Sequence, residues 1–186
     1  MSNVDEPRGA TPVGHLNGGE IRIDPNTFEV TATKICAPGD FVVMVDAGTV
    51  EPATAGANLI YGVVAGGKNS QYIASADTDR EVLLYTDPGI IYEIQGDDLS
   101  SSSKAIEGCV GHTADIVVTA AGTFTGPYGV TMAYSKHELD DSTIGDASGE
   151  LMIVGKKETP DNEWGEHCKL HVIISQTQLQ QAGAGL

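Results

Sequence analysis

Basic residues are scarce in this chain. Ten Lys and Arg stand against 26 Asp and Glu, a formal net charge of −16 over 186 residues. Nucleic-acid binding relies on Lys and Arg displacing phosphate counterions, so this balance argues against a role on DNA or RNA. It also argues against an anionic membrane surface. Aromatics make up 5% of the residues, so the core must be mostly Val, Ile, Leu and Ala. Three cysteines, Cys36, Cys109 and Cys168, are too few and too dispersed for a disulfide framework. They read as free buried thiols. No apolar run approaches the ~20 residues that span a bilayer. The first twenty residues lack the apolar core of a signal peptide, so synthesis in a reducing cytoplasm is expected.

Long helical patterns are missing as well. In their place stand 23 glycines and short apolar runs broken by turn residues. "TFEVTATKI" (27–35) alternates as a half-buried strand does. "APGD" (37–40) and "DAGT" (46–49) read as turns, and "FVVMV" (41–45) as a strand covered on both faces. Further strands are expected at 58–66, 81–86, 90–95, 115–119, 151–157 and 168–175. The 100–111 stretch has room for one or two helical turns, and 135–142 for a strand or a short helix. Turn signals every ~8–12 residues point to a mainly β chain, a compact barrel or sandwich with short helical turns. The expected layout is a flexible N-terminal arm over 1–20, a β-rich module over 21–110, and a second β-rich part over 111–175 packed on the first. A flexible tail over 176–186 follows.

Four motifs suggest chemistry, and each meets an objection. "IYGVVAGGKNS" (60–70) has the Gly62…Gly67–Lys68 spacing of a phosphate-binding loop. Asn69 stands where the Mg²⁺-binding hydroxyl belongs, and no helix pattern follows. The stretch reads instead as a core strand closed by a Gly66–Gly67 turn. His167, Cys168 and His171 lie close in sequence. On a strand at about 3.3 Å per residue the two histidines are ~13 Å apart, too far for one zinc ion. "DDSTIGDASGE" (140–150) resembles a calcium loop in its acidity. With Asp140 first and Gly145 sixth, Ile144 and Leu151 fall on ligand positions. A solvated turn is expected there. Cys109 and His112 are the only nucleophile–base pair the sequence offers, with no evident orienting partner. Asp97–Asp98 and Asp140–Asp141 read as turn and cap residues. No catalytic or metal site and no cofactor is expected.

The order of these elements carries a resemblance. "APGDFVVMVDAGTVEPATAGANLIYGVVAGG" resembles the N-terminal module of tailed-phage head decoration proteins, also called capsid cement proteins. "LLYTDPGIIYEIQGDDL" is similar to their following hairpin. "GHTADIVVTAAG" and "SGELMIVGKKETPDNEWGEHCKLHVIISQTQ" resemble later parts of related virion proteins. The resemblance spans residues 35 to 178. It implies a non-enzymatic protein that binds the major capsid protein on the outer shell of a virion and stabilises the head. It further implies a homotrimer, with no nucleic-acid or membrane partner. Candidate contacts with capsid or neighbour are Arg8, the one Arg or Lys of the arm, and Trp164, the one tryptophan. The rival expectation is an acidic β-sandwich module that binds an ion or a carbohydrate on a spike or host-facing surface.

Overall fold

The computed structural model describes residues 3–45, 48–56, 59–67, 81–98, 107–125 and 131–180. Lys68, the "QYIA" run and residues 99–106 fall outside them, as do the last six residues. The chain is mainly β, antiparallel and sandwich-like. Its strands are β1 (Thr11–His15), β2 (Phe28–Glu29), β3 (Phe41–Met44), β4 (Val50–Pro52), β5 (Gly62–Gly67), β6 (Glu81–Tyr85) and β7 (Ile90–Gln95). After these come β8 (Thr113–Ala114), β9 (Ile116–Val117), β10 (Gly122–Thr125), β11 (Thr131–Tyr134), β12 (Glu138–Leu139), β13 (Leu151–Lys156) and β14 (Lys169–Ile174). Short 3₁₀ turns occur at Glu107–Cys109, Asp141–Thr143 and Gln178–Gln180.

Two five-stranded sheets form the body. One runs β1-β7-β14-β13-β8, the other β2-β6-β5-β3-β4; the pairs β10-β11 and β12-β9 stand beside them. Period-two alternation explains the first sheet. Ile90, Tyr92 and Ile94 of β7, Leu151 and Ile153 of β13, and Leu170, Val172 and Ile174 of β14 join one apolar core. The second sheet is covered on both faces, as expected for "FVVMV". Phe41 and Val63 enter the shared core. Their neighbours Val42 and Val64 pack with Val30, Val50, Val82 and Leu84 in a smaller core of their own. Phe41 meets Tyr92 edge-on across the sheets, with ring centroids 6.4 Å apart.

Several expectations are corrected. Order begins well before Ile21, because β1 pairs with β7. Residues ahead of β1 are fastened too: the Asn3 side chain bonds the backbone of Glu163 and Glu166, and Ala10 N–H donates to Gly39 O. The tail is held through residue 178. Ile60 and Gln176–Gln178 exchange backbone bonds, while the Gln178 side chain bonds both N and O of Met44. Gly66 and Gly67 do not turn; they extend β5 through a register shift between Val64 and Gly66. Ala65, between them, is the residue left without a partner across β6, as in a β-bulge.

The expected strand over 27–35 stops early, since Thr33 takes a left-handed φ of 74°. "LLYTDPGIIYEIQ" is not a hairpin. Its Pro-Gly turn is a corner, sending β6 into one sheet and β7 into the other. The division near residue 110 runs through one sheet, where β7 pairs with β14.

Candidate functional site

Alternation over residues 132–139 builds one wall of the site. Ala133, Ser135, His137 and Leu139 point inward and are buried; Tyr134, Lys136 and Glu138 lie between them, half-buried, on the other face. The opposite wall is the N-terminal segment Asp5–Arg8. Between them lies a groove of about 670 Å³, with Phe124 of β10 at its edge. That volume falls within the range of small-ligand sites.

Local sequence fixes the aromatic part. Gly122 lies opposite Tyr134, and a Cβ at Gly122 would come 2.2 Å from the Tyr134 ring. The glycine thus lets that ring lie flat across its partner strand. Phe124 sits 6.3 Å from Tyr134, centroid to centroid, and is 47% exposed. Lys136 Nζ stands 5.9 Å from the Tyr134 centroid, within cation–π range.

Gln95 organises the polar end. It is 4% exposed. Its Oε1 accepts the Glu6 N–H at 3.0 Å. Its Nε2 donates to Asp5 Oδ1 at 3.1 Å and Glu138 Oε1 at 2.9 Å, and lies 3.5 Å from His167 Nδ1. Burial raises the Glu138 carboxyl above the ordinary value; Asp5 and Asp97 push the same way, while Gln95 and His167 oppose. Asp5, Glu138 and His167 offer ligand atoms within 4.8 Å of one another. An ion there would need donors at ~2.0–2.6 Å. The Gln95 amide nitrogen lies within 3.5 Å of all three ligand atoms, so it takes the central place. The arrangement is a clasp on the N-terminal segment rather than a cation site.

The other sequence candidates are dispersed. Cys109 is buried in the core with its thiol pKa raised by burial, whereas His112 is exposed. Cys168 is buried and its thiol is pushed up to about 11, chiefly by burial. His167 joins the clasp, and His171 lies on β14. In the acidic loop, Asp140 Oδ1 accepts from Ser142 N–H and Oγ as a cap, and Thr143 Oγ1 accepts the Asp115 N–H. Asp97, Asp140 and Asp141 cluster there, with Asp97 Oδ1 accepting the Asp98 and Asp141 N–H groups. Gly62 opens β5 and lies beneath the backbone of Tyr85, where a Cβ would meet its carbonyl at 2.6 Å; Lys68 lies outside the described residues.

Arg8 lines the groove and pairs with Glu6 at 3.4 Å. Trp164 lies half-buried against the main core, with Lys156 Nζ 5.9 Å from its ring. Its loop is held by Asn162, whose amide bonds Lys157 O, Lys169 O and Lys169 N. Asp5, Phe124, Tyr134, Lys136 and Glu138 were not singled out by sequence. The available signal was the alternation in "MAYSKHEL". Comparison with protein-family models, curated proteins and solved structures gives no match for this chain.

Proposed function

We propose that this chain is a non-enzymatic structural protein of a tailed-phage virion. It binds the major capsid protein on the outer surface of the shell and stabilises the head, as a homotrimer. The observation that carries this reading is the behaviour of residues 37–67, where the resemblance to decoration proteins is densest. The "APGD" turn leads into β3, and both sheet neighbours of β3, β4 and β5, come from the same stretch. The resembling segment therefore supplies three adjacent strands of one sheet rather than scattered turns. The charge of −16 suits an exterior protein in many copies, which gains solubility from mutual repulsion and needs no affinity for DNA.

The N-terminal segment enters this reading differently from a free arm. Residues 3–18 lie on their own fold, so Arg8 would meet a shell as part of a preformed surface. Preformed surfaces bind without the ordering entropy of a flexible arm.

The test is incubation of the purified protein with expanded, empty phage shells, followed by sedimentation and thermal challenge. Co-sedimentation and a raised shell melting temperature are expected. Shells that neither retain the protein nor gain stability would overturn the reading. Light scattering after size exclusion should report a trimer. The groove favours a second reading, an acidic β-sandwich binding module.

A further inference from the structure

We propose that the groove between Asp5–Arg8 and the β10–β11 hairpin binds a neutral oligosaccharide. Three observations converge. First, Phe124 is nearly half exposed beside Tyr134, so the groove carries an open aromatic face in a chain with few aromatics. The C–H face of a pyranose ring is the apolar, flat counterpart of such a surface.

Second, the carboxylates are held in place before any ligand arrives. Asp5 and Glu138 each commit one oxygen to Gln95 Nε2. Gln95 is itself buried and fixed through the Glu6 N–H. The second oxygens, Oδ2 of Asp5 and Oε2 of Glu138, remain to accept hydroxyl protons. Hydrogen bonds to ionised acceptors are about twice as strong as neutral ones, and preorganisation lowers the cost of binding.

Third, the lining carries both signs. Asp5, Glu6 and Glu138 accept; Arg8 and Lys136 donate. A polyhydroxy ligand both donates and accepts, and so matches such a wall. A phosphate or polyanion would meet three carboxylates on a protein of charge −16. A metal ion would have to displace the Gln95 amide. A purely apolar ligand would take water from five charged side chains and offer them no hydrogen bonds in return.

The inference does not rest on shell binding, and it is tested without shells. Saturation-transfer NMR on the full chain would use maltohexaose, cellohexaose, chitohexaose and mannohexaose in turn. A heparin hexasaccharide and a Lys-rich peptide serve as comparators. The expected result is transfer to the ring C–H protons of at least one neutral sugar. Phe124→Ala should weaken that binding by about tenfold, as loss of an aromatic contact does. Arg8→Ala should weaken it by about threefold, as loss of a single exposed hydrogen-bonding group does. Both positions are exposed, so unchanged thermal melts would show that the variants remain folded. Absence of transfer to all four sugars overturns the proposal. So does transfer that Phe124→Ala leaves unchanged, or preferential binding of the heparin fragment or the peptide.

Discussion

His137 Nε2 lies 3.6 Å from Asp40 Oδ1, and both side chains are 2% exposed. The Phe41 N–H donates to His137 Nδ1 at 3.2 Å, which leaves the proton of the neutral ring on Nε2, facing Asp40. Asp40 Oδ2 accepts the Ala37 N–H at 2.7 Å, while Oδ1 has no hydrogen-bond partner. The pair ties the 37–40 turn to the 135–137 segment beneath the groove.

That relationship sets a pH dependence of opposing parts. Burial lowers the His137 pKa below its ordinary 6.5, with Asp40 opposing. Its contribution is present above that value and is lost as pH falls, because the unfolded chain takes up a proton that the folded one resists. Burial raises the Asp40 pKa above its ordinary 3.8, with His137 opposing. Its contribution runs the other way, present at low pH and lost as pH rises. His137→Gln should therefore lose less stability than wild type as pH falls from about 7.5 to about 5.5. Asp40→Asn should lose more, because the amide no longer opposes the burial that lowers the His137 pKa. Urea titrations at the two pH values would measure both; equal slopes in all three proteins would refute the assignment.

Among the described glycines, Gly9 should be the least tolerant of substitution. Its φ is 68°, and a Cβ would come 2.2 Å from Ser135 Oγ and 2.4 Å from Gly39 O. Gly9→Ala is expected to cost ~3 kcal/mol or more, combining backbone strain with a clash. Gly18 has nearly the same φ, 67°, with open space around it. Gly18→Ala should cost only the strain of ~1–2 kcal/mol. Thermal melts of the two variants separate clash from strain.

Asn162→Ala should release the Trp164 loop. Asn162 is 4% exposed and satisfies three backbone groups of Lys157 and Lys169. The Lys169 N–H would lose its acceptor while both carbonyls keep other donors, so the change should cost ~1–3 kcal/mol. The single tryptophan reports this directly, through a red-shifted, more quenchable emission. An unchanged spectrum with unchanged stability would contradict the role given to Asn162.

The thiols should be inert while the chain is folded. Cys36, Cys109 and Cys168 are buried, and burial raises the pKa of each. Only the thiolate reacts with disulfide reagents, so labelling near pH 8 should be negligible in buffer and reach all three in denaturant. Rapid native labelling of Cys109 would revive the pairing with His112.

Much of the secondary structure was legible in the residues. The runs "FVVM", "EVLLY", "IIYEIQ", "LMIVGK" and "KLHVII" became β3, β6, β7, β13 and β14 because their side chains alternate or are apolar throughout. The turn at 37–40 was legible because Pro38, Gly39 and Asp40 prescribe it. β1 and the hairpin β10–β11 were not. Pro12 and Gly14 weaken the strand pattern of β1, and Ala121 and Gly122 do the same at the start of β10. The groove was half visible, since "MAYSKHEL" places Tyr134, Lys136 and Glu138 on one face.

What the sequence determined by itself is local: strand periods, turn positions, an aliphatic core and an acidic surface. Those follow from backbone geometry and side-chain solvation within a few residues. The tertiary structure alone decided the rest. It placed β6 and β7 in different sheets on either side of one Pro-Gly corner. It drew Gln95 between Glu6, Asp5 and Glu138, across separations of up to 90 residues. It laid the N-terminal segment on its own fold. Such contacts arise because buried polar groups and sheet edges must find partners wherever the chain brings them, and no local pattern encodes that meeting.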